Sequence, residues 1–200
     1  MGKATYSNKR QATRNKIDTV FIENIRSTGG TDLTVKQICE KAGINRSTFY
    51  TYYKDTIDVR EQIEGRLIGQ FEKRIAPKLD QLLVNPNMIL LEIMEYNREF
   101  KYLPLLLISS GSSSFVYRLS RSAVDMVTSG HMLTDDVREK ITMLLAYHFA
   151  GISMTLRQIR DYSNPSDEDY ENTVQKTIEL LLPVVKNGLL PTIKELYKSL

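Results

Sequence analysis

In several stretches of this chain apolar residues recur at intervals of three and four. Ile17, Val20, Phe21 and Ile25 form one such set, and Val59, Ile63, Leu67 and Phe71 form another. That spacing gathers each set on one face of an α-helix but would scatter it over both faces of a strand. No alternating run bounded by hairpin turn residues interrupts the pattern, so an all-α fold is expected.

The helix boundaries follow from local chemistry. Gly29-Gly30 closes the first helix, because glycine takes the left-handed conformation that ends helices. Thr34 with Gln37 has the capping-box pattern and opens a short second helix. Gly43 stops that helix, and Asn45 can cap a third running to about Tyr53. Asp55 is placed to open a longer fourth. Pro77, Pro86 and Pro104 punctuate shorter helices beyond it, and Ser109–Ser114, with Gly111, reads as a loop. A long helix is expected from Thr134 to about Asp161, and a second from about Asp167 toward Val185. A short terminal helix follows Gly188 and Pro191.

Charge is distributed unevenly. Residues 1–54 carry ten Lys/Arg against four Asp/Glu, a balance of +6, whereas residues 55–200 carry seventeen against twenty, a balance of −3. Positive charge concentrated at one end suits a domain that faces a polyanion. No apolar run is long enough to span a bilayer, and the polar, basic N-terminus does not read as a secretory signal. The single cysteine, Cys39, has no partner for an internal disulfide, so a reducing, cytoplasmic setting is expected.

The most informative segment runs from Thr34 to Tyr53. Two short helices crossing steeply need a tight turn, and Gly43 can supply the positive φ that such a turn demands. Ile38, Ala42, Ile44 and Phe49 would pack the crossing, with Cys39 as a small buried hydrophobe. The outward residues of the third helix are then Arg46, Ser47, Thr48, Tyr50, Thr51 and Tyr52. They are hydroxyls, a guanidinium and rings rather than the Glu/Lys mixture of a solvated helix. Hydroxyls bond phosphates, arginine reads guanine, and threonine methyls touch thymine methyls. Eight residues of helix span about 12 Å, enough to occupy a major groove.

This segment resembles the N-terminal domain of the TetR/AcrR family of transcriptional regulators. The likeness covers about residues 10–65. It rests on the Leu-Thr-Val start at Leu33, on Ile-Cys-Glu-Lys-Ala-Gly-Ile from Ile38, and on Thr-Phe-Tyr-Thr-Tyr-Tyr-Lys-Asp from Thr48. It implies a helix-turn-helix DNA-binding domain (residues 1–54) and a helical effector-binding and dimerisation domain (residues 55–200). It also implies a homodimer on palindromic double-stranded DNA, acting as a repressor that an effector releases. By position it implies phosphate contacts from Thr34, Thr48 and Tyr52, and base or backbone contacts from Arg46, Ser47, Tyr50 and Thr51. Lys36, Asn45 and Lys54 complete the expected DNA-facing set; the family's lysine at the start of the fourth helix is Thr56 here, so either Lys54 takes over that phosphate contact or the contact is lost. Lys9, Arg10 and Arg14 are candidates for a basic arm along the duplex.

The C-terminal part shows no catalytic constellation, metal-ligand spacing or cofactor motif, so neither enzyme activity nor a cofactor is expected. The helix from Thr134 has two apolar stripes: Ile141, Leu145, His148, Ile152, Leu156 and Ile159 on one, Met143, Tyr147, Ala150 and Met154 on the other. A helix apolar on two sides needs two sets of neighbours. His148, Ile152 and Leu156, with Val174, Ile178 and Leu181 from the following helix, are therefore expected at a four-helix dimer interface. Met94, Tyr102, Phe115, Tyr117, Met126 and Tyr147 are candidates for an adaptable effector pocket, the effector being a small molecule or a protein partner.

Overall fold

The structure, a computed structural model, describes residues 2–28, 30, 32–78, 81, 88, 92, 95, 96, 98–100, 113–128, 134–163, 172, 176, 177, 179–181 and 183–198. The fold is all-α, with no strand among the described residues. Its labelled helices are α1 (Gly2–Thr28), α2 (Val35–Ala42), α3 (Arg46–Tyr50), α4 (Thr56–Ile75), α5 (Ser113–Val127), α6 (Asp135–Ser163) and α7 (Leu190–Lys198). A 3-10 turn, Ala76–Lys78, follows α4, and a π turn, Val185–Leu189, precedes α7. Pro77 lies in the former, where its missing N–H helps end the helix. The chain divides into two compact units, Met1–Leu67 and Ile68–Leu200.

In the first unit α2 packs on both α1 and α3. Ile17, Phe21, Ile25, Ile38, Cys39, Ala42, Phe49, Val59 and Ile63 are buried, and Ile44 is half-buried. The unit extends past the boundary at residue 54 read from the sequence. The reason is polar as well as apolar, because Gln62 and Arg66 of α4 are hydrogen-bonded to Arg14 and Asp18 of α1.

In the second unit α5 and α7 both pack on α6. Val124, Val137 and Ile141 form a buried cluster, against which Leu145, Ile193 and Leu196 pack. Thr134 opens α6 as a cap, its hydroxyl accepting from Val137 N at 3.4 Å. The helix begins within one residue of the expected start. Two boundaries differ from expectation. Ser113 and Ser114, read as loop, form the first residues of α5, since Phe115, Val116 and Leu119 behind them supply a buried face. The third helix closes at Tyr50 rather than Tyr53, with Thr51 and Tyr52 in a turn. Tyr53 N still donates to Phe49 O at 3.1 Å, so the backbone keeps helical pairing to that residue.

Among the described residues no helix is long and apolar enough to cross a membrane. No group of three or more His, Cys, Asp or Glu among them is placed to hold a metal ion.

Candidate nucleic-acid interface

Local hydrogen bonds hold the segment from Thr34 to Tyr53 in place. Thr34 Oγ1 accepts from Gln37 N at 3.3 Å, and Gln37 Oε1 accepts from Thr34 N at 2.9 Å, a complete capping box. Gly43 ends α2 at φ 64° and ψ 41°, and its N–H turns back to the carbonyls of Cys39 and Glu40. Asn45 then caps α3, its Oδ1 accepting from Thr48 N at 2.7 Å and from the Ser47 hydroxyl at 2.7 Å. Burial pushes the Cys39 thiol above its ordinary value; the Arg46 charge opposes this and Glu40 adds to it. The group therefore stays a neutral thiol, as a packing role requires.

With the turn so fixed, α3 is divided by face. Phe49 is 0% exposed and Tyr53 2%, packed ring to ring at 5.9 Å. Arg46, Ser47, Tyr50, Thr51 and Lys54 are exposed, Tyr50 to 57%, while Thr48 and Tyr52 are half-buried. Thr34 and Lys36 are also exposed, Lys36 making a long 3.9 Å pair with Glu40. Among the described residues no hydrogen bond or ion pair engages the side chains of Arg46, Tyr50 or Lys54. The hydroxyls of Thr34, Ser47 and Thr51 bond to near neighbours in the chain, Gln37 Oε1, Asn45 Oδ1 and the Ser47 carbonyl, and these residues stay exposed. Asn45 Oδ1 is thus occupied as the cap of α3, while the residue itself is exposed.

Arg14 is corrected as well. It is no free arm. Its Nε donates to Tyr53 Oη at 3.2 Å and its Nη2 to Gln62 Oε1 at 2.5 Å. Lys9 and Arg10 are exposed residues of α1 itself. Tyr53 Oη in turn donates to Asp18 Oδ1 at 2.5 Å, and Arg66 Nη2 donates to Asp18 Oδ2 at 2.6 Å. From Gln62 the network continues to Asp58 Oδ1 at 2.9 Å, and Asp58 Oδ2 accepts from Lys54 N at 2.8 Å. Burial first, and then the bond to Asp18, push the Tyr53 phenol above its ordinary value; the bond from Arg14 pulls the other way. Sequence reasoning missed this network. Its only trace is that Arg14 and Asp18 sit at helical spacing from Phe21 and Ile25, in line with a buried stripe.

Met94, Tyr102, Val174 and Ile178 lie outside the described residues, as do the side chains of Ile152 and Leu156. Phe115 is buried, Met126 half-buried and Tyr117 38% exposed. Tyr147, expected in a pocket, is 76% exposed on α6, in line with Met143 at 57% and Met154 at 51%. The opposite stripe, with Ile141 buried and Leu145 packed on the α5–α7 cluster, faces inward. His148 is half-buried and Leu181 likewise. His148 Nδ1 donates to the Leu144 carbonyl at 2.8 Å, and its ring meets Tyr147 edge-on at 5.4 Å. Leu180 and Val184 are exposed.

No protein-family model, curated protein or solved structure matches this chain.

Proposed function

We propose that this chain is a sequence-specific transcriptional regulator of the TetR/AcrR kind. In this reading a homodimer grips palindromic double-stranded DNA through two helix-turn-helix units. It acts as a repressor, and an effector of the C-terminal unit releases it. The observation that carries the reading is the division of α3: Phe49 and Tyr53 are buried while Arg46, Ser47, Tyr50 and Thr51 face outward together. A core helix would not leave that set exposed, and a merely solvated helix would carry glutamate and lysine instead. The five residues of α3 rise about 7.5 Å, short enough with their flanking turns to enter a major groove about 12 Å wide. Arg46 supplies donors suited to guanine, Tyr52 and Thr48 hydroxyls suited to phosphates. The balance of +6 over residues 1–54 supplies the attraction.

Dimerisation is supported by Met143, Tyr147 and Met154, exposed on one face of α6. Large apolar side chains aligned on one exposed helix face suit burial against a partner. A two-fold partner covers it with the same face, and the paired units then meet half-sites about 34–36 Å apart.

The test is selection by the full chain from a random-sequence duplex library at low ionic strength. A palindromic pool should be enriched. With about six phosphates neutralised per dimer, log affinity should fall against log salt with a slope of about −5. Arg46→Ala should relax preference at one base position, whereas Tyr52→Phe should weaken all sequences alike. Absence of both enrichment and low-salt binding overturns the reading.

A further inference from the structure

Buried tyrosines are costly unless the hydroxyl is satisfied, and a phenylalanine would fill the same space beside Phe49 without that cost. Tyr53, three residues past the end of α3, is nonetheless 2% exposed, with its hydroxyl between Asp18 Oδ1 at 2.5 Å and Arg14 Nε at 3.2 Å. Both partners belong to α1. Each also holds α4: Asp18 through Arg66 at 2.6 Å, Arg14 through Gln62 at 2.5 Å. Ring packing alone tolerates sliding, but hydrogen bonds are directional, so this arrangement fixes Tyr53 in the plane of its ring. Tyr53 is bonded through its own N–H to Phe49 O and adjoins Tyr52. Its placement therefore sets where the outward face of α3 points.

We propose that Tyr53 is a positioning residue for DNA recognition, acting through its hydroxyl on the orientation of α3, with Asp18 as the group that holds it. This inference rests on the DNA-binding reading above. It assigns recognition geometry to residues that touch no DNA. The network is part-buried, and Arg66 Nη1 has no hydrogen-bond partner in it; polar networks of this kind specify one arrangement more than they stabilise.

The experiment uses the duplex that the wild-type full chain enriches, beside a scrambled duplex of equal length and salt. Circular dichroism confirms that every variant is folded at the assay temperature. Tyr53→Phe should lower affinity for the enriched duplex about ten-fold and leave the scrambled duplex within about two-fold. Asp18→Ala, which removes the bond to the Tyr53 hydroxyl together with the Arg66 ion pair, should lower it at least as much, and the double variant should be no weaker than Asp18→Ala by more than about two-fold, because the bond between the two residues is already gone in that single variant. Asp18→Asn, which keeps an acceptor for the Tyr53 hydroxyl, should recover most of the loss. A purely structural role would lower the melting temperature and leave the ratio between the two duplexes unchanged. That unchanged ratio in Tyr53→Phe overturns the proposal even if Asp18→Ala fails to fold, and so do additive losses. If the wild-type chain enriches no duplex, the DNA reading falls and this proposal with it; enrichment with an unmoved Tyr53→Phe ratio sinks the positioning role alone.

Discussion

Asn45 Oδ1 lies 2.7 Å from the backbone nitrogen of Thr48, and this contact makes its side chain the cap of α3. As the cap of α3, Asn45 satisfies a backbone donor that the short helix cannot pair internally. Asn45→Ala should therefore cost about 1 kcal/mol of folding stability in a denaturant titration. Asn45→Asp keeps an acceptor and should stay within about 0.5 kcal/mol of the parent, yet its carboxylate beside Arg46 should weaken DNA binding. An alanine variant as stable as the parent would remove the capping role.

Gly43 closes α2 with φ at 64°, and a Cβ built there would meet no atom within 4 Å. The penalty for a side chain is thus backbone strain alone, without steric overlap. Gly43→Ala should destabilise by about 1–2 kcal/mol, and Gly43→Asn by less, since asparagine tolerates the left-handed region. Equal melting temperatures for all three proteins would contradict this.

Tyr147 and Ile141 lie on opposite faces of α6 and should fail in different ways. Ile141, in the cluster with Val124 and Val137, is a core residue, so Ile141→Ala should cost about 2–5 kcal/mol in unfolding experiments. Tyr147→Glu places a charge on the exposed apolar stripe and should leave protomer stability nearly unchanged. Sedimentation equilibrium should then report the 23.0 kDa mass of one chain for that variant and twice it for the parent. A parent that sediments as one chain would remove the dimer from the proposal.

Arg74 gathers three carboxylates, Glu92 at 2.7 Å, Glu95 at 2.6 Å and Glu99 at 2.7 Å, and Lys78 pairs with Glu92 as well. Burial alone would raise the Glu92 carboxyl; the bonds from Lys78 and Arg74 outweigh it and hold the group below its ordinary value of 4.5. A folded-state value below the unfolded one means that the stabilisation is present above the unfolded value. It is lost as pH falls through the folded one. Denaturant midpoints followed from about pH 6 down to about pH 3 should decline, and Glu92→Gln should flatten that decline. An unchanged acid limb in the variant would count against the network as its source.

Much of the architecture was legible before any tertiary structure. The buried stripe Ile17–Phe21–Ile25 follows from helical periodicity, and α6 begins one residue after Thr134, the expected start of the long helix. The outward set on α3 was legible for the same reason: once Gly43 and Phe49 are placed, a 3.6-residue repeat dictates which side chains point away. Less legible was the fate of polar residues on apolar faces. Arg14 reads as part of a basic tail, but it is spent on Tyr53 and Gln62, and Tyr147 reads as a pocket residue, but it lies on an outer face.

The sequence by itself determined the caps and the turn, at Thr34, Gly43, Asn45 and Asp55, because each bond involved closes within about four residues and depends on residue type alone. Only the tertiary structure decided that Arg14 and Asp18 reach Tyr53, Gln62 and Arg66, and which stripe of α6 faces the α5–α7 cluster. Those pairings join residues up to 48 positions apart. Donor and acceptor types specify which partners are permitted, whereas packing of the helices selects one of them.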